Sequence, residues 1–297
     1  MLADLCFLRR NTMLIEYSVG DIIETKKPHP CGGKTWEILR TGADVKMKCV
    51  TCGRIVMLPE RKLKNAPKRC FRKRTRNKMN IEVKRFGKIE YVMRYPNGYE
   101  EGKRYPVILF LHVSGTRGTD IEAVKENSFL TITEQMEDFP FTVIAPQCCR
   151  DSWFDLHETL IDFVLWLAEQ SFVEPKRIYA MGTSMGGYAT WQIGMSLHEY
   201  FAAIVPICGA GAYWNAGNLK DMGIWAFHGE LDDAVFASES INMVNAIKAA
   251  GGNDAKLTIF EGKGHGIWNE VYSNPEVYSW LLQHKNTGEF YTCPKGR

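Results

Sequence analysis

Apolar and polar positions along the first sixty residues alternate with a short period. Ser18–Thr25 (with Val19, Ile22 and Ile23 apolar), Trp36–Leu39, Val45–Val50 and Arg54–Leu58 each read as a strand, and Gly32-Gly33, Gly42 and Gly53 punctuate them as turns. That pattern predicts a small, mostly β module. Further along the chain the pattern changes. Val107–His112, Phe141–Ala145, Arg177–Gly182, Ala202–Cys208, Ile224–His228 and Lys256–Phe260 are continuous apolar runs of strand length. Between and after them lie the helical patterns Leu156–Gln170, Met185–Leu197, Ser238–Ala250 and Glu276–His284. Strands apolar on both faces that alternate with helices predict an α/β domain with a mainly parallel sheet covered on both sides. Ile81–Phe86 and Ile89–Tyr95 alternate instead, like an antiparallel pair turning at Gly87-Lys88.

Length and charge divide the chain at the same place. Its 297 residues suit one large domain plus a small one. Residues 1–80 hold 19 Lys+Arg and 7 Asp+Glu, a net of +12, so the totals of 37 and 34 leave 18 and 27, a net of −9, for residues 81–297. Arg61–Lys78 contains ten basic residues and no acidic one. Such a block reads as a solvated linker or as a weak contact for nucleic acid or another polyanion. The expected division is therefore a Cys/His module at 1–65, a basic linker at 66–80 and a catalytic domain at 81–297. No run reaches the roughly 18 apolar residues of a membrane span. Met1–Leu8 runs into Arg9-Arg10, the reverse of an export signal, so the expected location is the cytoplasm, where nine cysteines serve as thiols or metal ligands.

Two of those cysteines, Cys49 and Cys52, form a C-x-x-C followed by Gly53, and His29 and Cys31 lie about 20 residues earlier. Together they offer three thiolates and an imidazole, a valid tetrahedral set for a structural zinc, with buried thiols as the plain alternative. No βαβ pattern surrounds the C-x-x-C, so a thioredoxin-like redox role does not fit. At Val19-Gly20-Asp21, Lys27–Gly32 and Cys49–Arg54 the segment resembles a short uncharacterised bacterial family found mainly in Firmicutes, over about residues 13–65. That resemblance implies no established activity.

In the larger part, Gly182-Thr183-Ser184-Met185-Gly186 follows a strand and opens a helix, the context of a nucleophile elbow. The sharp turn strains the serine, and flanking glycines avoid collisions. A serine hydroxyl needs a base and an orienting acid, which in this architecture follow in the order Ser, acid, His. The strand Ile224–His228 leads to Glu230, Asp232 and Asp233; Asp232 is the preferred acid, Asp233 an alternative or a helix cap, and Glu230 a weaker alternative. The last strand leads to Gly264-His265-Gly266, which presents His265 as the base. His112 and His228 end strands and read as turn supports; His157, His198 and His284 read as surface residues. The developing oxyanion requires two main-chain donors, Met185 N–H after the nucleophile and Ser114 N–H in the loop after Val107–His112. Catalysis by this set requires no cofactor.

At these residues the chain resembles an α/β-hydrolase of the bacterial carboxylesterase or predicted-peptidase group, near polyhydroxybutyrate depolymerases and feruloyl or acetylxylan esterases. The likeness rests on Tyr105–His112, Ala145–Cys148, Arg177–Tyr179, Gly182–Trp191, Phe227-His228-Gly229 and Gly264-His265 with Trp268, over about residues 81–285. It implies Ser184 as nucleophile, Asp232 as acid and His265 as base. The family usually has glycine where this chain has Val113, so either the loop accepts valine at negative φ or the oxyanion hole is impaired; Gly266 replaces an acidic or amide residue with little consequence. Trp153, Trp191, Trp214 and Trp268 fall near the site and read as core or as an acyl-binding wall, with Trp153, Trp191 and Trp268 the candidate substrate contacts. The expected activity is hydrolysis of small or medium carboxylic esters through an acyl-enzyme. The alternatives are a serine peptidase and a non-catalytic relative whose basic module binds nucleic acid. Met13 and Met79 each precede a segment resembling a self-standing protein, a pattern that two joined reading frames would also give.

Overall fold

The computed structural model describes residues 22–25, 27–41, 44–59, 67–71 (by their backbone) and 81–288. The starts at Met1, Met13 and Met79, the first residues of the expected strand at Ser18, and the basic run outside 67–71 lie outside the described residues. The chain forms two compact units, Met1–Lys78 and Met79–Arg297.

The first unit is an antiparallel sheet of β1 (Ile22–Thr25), β2 (Thr35–Arg40), β3 (Asp44–Cys49), β4 (Ile55–Pro59) and β5 (Pro67–Phe71), in the order β4-β3-β2-β1-β5. Alternation decides its single core face. In β3, Val45, Met47 and Cys49 point inward while Asp44, Lys46 and Lys48 face solvent. Ile23, Trp36 and Ile38 complete that core, with Val56 and Leu58 packed against it. The expected linker at 66–80 needs correction, because Pro67–Phe71 pairs with β1 as an edge strand. Pairing is a main-chain matter, so a basic segment can occupy an edge, with proline tolerated at its first position.

The second unit is built on an eight-stranded sheet. Its strands are β6 (Ile81–Phe86), β7 (Ile89–Arg94), β8 (Tyr105–Leu111), β9 (Thr142–Pro146), β10 (Val173–Thr183), β11 (Ala203–Ile207), β12 (Gly223–Gly229) and β13 (Ala255–Phe260). The order is β13-β12-β11-β10-β8-β9-β7-β6; β8–β13 are mutually parallel, and β7 and β6 extend the sheet antiparallel. The helices are α1 (Glu122–Lys125), α2 (Ser128–Glu134), α3 (His157–Ala168), α4 (Met185–Ser196), α5 (Ala237–Ala249), α6 (Trp268–Tyr272) and α7 (Pro275–Gln283). The two-residue period of β8 sends Val107, Leu109 and Leu111 to a core shared with α3, α4 and α5. Ile108 and Phe110 go to the opposite core, shared with α2, α6 and α7. Both faces are therefore dry, which is why these strands read as unbroken apolar runs. The α/β class with a mainly parallel sheet, preceded by a small β module, is the architecture observed. The short α1, α2 and α6 carry too few turns to show a helical period in the sequence.

Candidate active site and a cluster of metal donors

Ser184 sits between the end of β10 and the first turn of α4 with φ 54° and ψ −118°. Two features hold this strained conformation. Ser184 N–H donates to Ile207 O at 2.8 Å, tying the turn to β11. A Cβ at Gly186 would fall on the carbonyl oxygen of Leu111, and one at Gly182 on that of Gly186, so only glycine lets α4 begin this close to β8. Thr183 is pinned from the other side by a hydroxyl hydrogen bond with Tyr272 at 2.6 Å.

His265 follows β13 and reaches the serine, its Nε2 lying 2.9 Å from Ser184 Oγ, while its Nδ1 lies 2.7 Å from Asp232 Oδ2. A carboxylate accepts only, so Nδ1 carries the ring proton and Nε2 is left to receive the serine hydroxyl proton. Asp232 follows β12 and is 4% exposed. Its other oxygen, Oδ1, accepts the main-chain N–H groups of Ala234 (3.0 Å) and Val235 (2.9 Å). Burial pushes its pKa up, but the Val235 N–H, the hydrogen bond and charge of His265 and the Ala234 N–H outweigh that, so the carboxyl stays below its ordinary value. Of the three candidate acids, Asp233 is exposed, and Glu230 accepts the N–H of Gly262 at 2.8 Å on the surface. Asp233 does not cap the helix that follows, which starts after Phe236 without a side-chain cap.

His228 is a member of this group that sequence reasoning assigned only to turn support. It is fully buried, and its Nε2 lies 2.8 Å from Val235 O and 3.2 Å from Asp232 Oδ2. Both partners are acceptors, so Nε2 carries the proton and Nδ1 accepts from Ser240 Oγ at 2.7 Å. Burial, partly offset by the Val235 carbonyl and Asp232, lowers the pKa of the ring and keeps it neutral. The carboxylate therefore stands between two imidazoles. The available signal was the spacing: a histidine ending a strand four residues before the acid. Cys208 was also missed. It is buried at φ 46°, its thiol donates to His265 O at 3.4 Å, and burial pushes its pKa up to about 12, so it is a neutral prop beneath the histidine loop.

In the loop after β8, Val113 sits at φ −69° and ψ 166°, an extended conformation open to any L-residue. His112 braces this loop. Its Nδ1–H donates to Val113 O at 2.8 Å, and its Nε2 accepts Cys148 N–H at 2.9 Å. Burial outweighs the Val113 hydrogen bond and lowers its pKa to about 4. Arg117 closes the loop with bonds to Ser114 O and Asp151 O, at 2.9 and 2.7 Å. Met185 is the first residue of α4, and Ser114 opens the short 3-10 turn beyond Val113.

Two of the three tryptophans expected to touch substrate need correction. Trp153 and Trp191 are 1% and 0% exposed, packed in the core beside α3 and α4 rather than lining an open surface. Trp153 acts instead as a post under the loop, its Nε1–H donating to His112 O at 3.0 Å. Trp268 is half-buried, with its ring edge-on to His265 at 5.8 Å. Trp214 is 81% exposed. His157, His198 and His284 are half-buried rather than open; His284 pairs with Asp254 at 2.6 Å.

In the first unit, the donor atoms of His29, Cys31, Cys49 and Cys52 lie within 4.8 Å of one another and could hold a metal ion. No helix among the described residues is long and apolar enough to cross a membrane.

Comparison with known proteins bears on both units. Residues 17–71 match a family described as bacterial protein of unknown function (DUF951), and residues 150–279 match the dienelactone hydrolase family. Over 53 residues the chain is 49% identical to the uncharacterized protein YyzM of Bacillus subtilis (strain 168), covering 16% of this chain and 78% of that protein. A thermostable esterase of known structure is 26% identical with a TM-score of 0.61, covering 83% of this chain and 73% of its own. Est1E from Butyrivibrio proteoclasticus shares the fold at 12% identity and a TM-score of 0.53, covering 68% of this chain and 99% of its own. Esterase 2 of Thermogutta terrifontis does so at 16% identity and a TM-score of 0.50, covering 69% and 91%. These likenesses support a hydrolase of the esterase kind.

Proposed function

The chain belongs through its first unit to the DUF951 family, and its second unit has the α/β-hydrolase fold matched by the dienelactone hydrolase family; from that premise we propose that the second unit is a serine hydrolase of small or medium carboxylic esters. The observation that carries this reading is the hydrogen-bonded line Ser184–His265–Asp232, drawn from the ends of three strands, with the serine at positive φ.

In this reading Ser184 Oγ attacks the ester carbonyl while His265 Nε2 takes its proton. Asp232 holds the ring in the required tautomer and stabilises the imidazolium that forms. The carbonyl oxygen, now anionic, accepts the N–H groups of Met185 and Ser114. Collapse expels the alcohol, which leaves with the proton from His265, and Ser184 carries the acyl group. Water then attacks with His265 again as base, and the carboxylic acid departs as the serine recovers its proton. The chemistry falls to side chains and main-chain donors, and Trp268 beside His265 borders the bound acyl group. The negative φ of Val113 supports a usable oxyanion loop and weighs against a decayed, non-catalytic relative.

The test is hydrolysis of short-chain p-nitrophenyl esters, together with inactivation by a dialkyl phosphate ester such as paraoxon. Turnover is expected, and one phosphoryl group per chain should appear on the peptide bearing Ser184. Turnover that survives Ser184→Ala, or a label on another residue, would refute the assignment.

A further inference from the structure

We infer that His29, Cys31, Cys49 and Cys52 form a four-coordinate structural Zn2+ site that staples the first unit. The argument starts with the two turns that carry the donors. His29 N–H donates to Gly33 O and Gly32 N–H to His29 O, at 2.8 and 2.7 Å, which closes a loop just before β2. Gly53 N–H donates to Cys49 O and Cys49 N–H to Arg54 O, at 2.8 and 2.9 Å, which closes a second loop between β3 and β4. Gly32 and Gly53 stand at φ 85° and 73°, so each turn reverses sharply and brings two donors round to one side. Val50 N–H donates to Thr35 O at 3.0 Å, holding the second loop against the start of β2.

The donor spacing fits a metal better than a disulfide. Cys31 Sγ lies 3.6 Å from Cys49 Sγ, and His29 Nδ1 lies 3.0 Å from Cys31 Sγ and 3.5 Å from Cys52 Sγ. A zinc tetrahedron with ordinary Zn–S and Zn–N bonds has edges of about 3.6–3.8 Å. A disulfide needs about 2.05 Å between sulfurs and has no use for an imidazole in the cluster. The His29 ring is held edge-on against Trp36, with centroids 5.1 Å apart and planes at 88°. Three sulfurs and one imidazole nitrogen select a soft or borderline ion in tetrahedral geometry and disfavour calcium or magnesium. Four protein ligands fill the coordination sphere, which marks a structural rather than a catalytic metal.

The module also needs such a staple. Among the described residues its buried apolar set is Ile23, Trp36, Ile38, Val45, Met47 and Cys49, a small core for a five-stranded sheet. Of the four donors only Cys49 is part of it, while Cys31 and Cys52 are exposed, so the ion has a path in from solvent. Binding replaces three thiol protons with one Zn2+. Three protons are released, and the complex carries one net negative charge within a segment of net +12.

The experiment uses the full chain. Elemental analysis of the purified protein should give one zinc per chain, and exchange for Co2+ should give the intense visible and sulfur-to-metal charge-transfer bands of tetrahedral thiolate coordination. On withdrawing the metal with a chelator, hydrogen exchange should accelerate across β1–β4 and stay unchanged across β8–β13. Cys52→Ser and His29→Ala should each weaken zinc binding at least about a hundredfold. His29→Cys, which keeps four ligands, should retain the ion, and so separates a lost ligand from a lost fold. A full zinc equivalent that survives Cys52→Ser would overturn the site. So would a native chain free of metal and lighter by two hydrogens through a Cys31–Cys49 disulfide.

Discussion

The two units each gather a site from residues far apart in sequence, but they hold it by different means. In the second unit the serine turn is wedged between strands so closely that a methyl group at Gly186 would land on Leu111 O. In the first unit Gly32 has open space around it, with nothing within 4 Å of where a Cβ would stand, while a Cβ at the adjacent Gly33 would meet the Thr51 side chain. A large, two-sided core can impose a strained conformation on one residue, because many packed neighbours share the cost. A small one-sided core has fewer neighbours to share such a cost, and where it does crowd a turn, at Gly33 beside Thr51, the contact is with a side chain and not with backbone.

The sharpest way to break this comparison is to remove the reacting group. Ser184→Ala should cut kcat/KM by at least about a thousandfold with little change in the unfolding midpoint, because it removes only the hydroxyl and its hydrogen bond to His265. An equal loss of stability would mean that the serine is structural. Next come the glycines. Gly186→Ala should destabilise the second unit by about 3 kcal/mol or more, since the obstacle is backbone that cannot yield. Gly32→Ala, at φ 85° but in open space, should cost only about 1 kcal/mol. Urea unfolding followed by hydrogen exchange in each unit would measure both, and equal costs would erase the distinction drawn between the two turns.

The second imidazole on Asp232 sharpens the picture further. His228→Phe should reduce kcat/KM by about tenfold to a hundredfold by taking a donor from a buried carboxylate, while His228→Gln, which can present an N–H, should recover part of the loss. An unaltered rate and pH profile in the Phe variant would assign His228 to packing alone.

The smallest effect is one of pH. Burial holds His112 at a pKa of about 4, below the roughly 6.5 of an unfolded histidine. Between those values the unfolded chain binds a proton that the folded chain refuses. Stability should therefore fall as pH drops from about 6.5 to about 4 and lose nothing further from this group below that. The depressed carboxyl of Asp232 adds a contribution that is present above the ordinary Asp value and lost only at still lower pH. For His112 the span corresponds to on the order of 3 kcal/mol. It should shrink in His112→Gln, and an unfolding midpoint flat across that range would show that the ring takes up its proton readily.

Much of this was legible in the chain because two of its signals are local. Continuous apolar runs such as Val107–His112 announce strands covered on both faces, and Gly-x-Ser-x-Gly after such a strand announces the turn that Ser184 occupies. Asp232 could be preferred but not separated from Asp233 and Glu230, since all three lie on one loop. Burial and the N–H groups of Ala234 and Val235 decide among them, and these follow from how the loop folds back. Trp153 and Trp191 were misplaced because nearness in sequence to a site says nothing about which side of a strand or helix a ring takes. β5 was hidden because edge pairing rests on backbone groups, which leave no mark in a run of lysines and arginines.

The order of strands in the larger sheet has a consequence for biosynthesis. From β10 outward, the strands stand in the sheet in the order in which they are translated, β11, β12 and β13. The turn of the proposed nucleophile is thus translated first, the proposed acid about fifty residues later and the proposed base after a further strand. A nascent chain halted after β12 already possesses Ser184 and Asp232, yet has nothing to accept the serine's proton. Translation itself keeps the proposed chemistry switched off until the last strand of the sheet has been made.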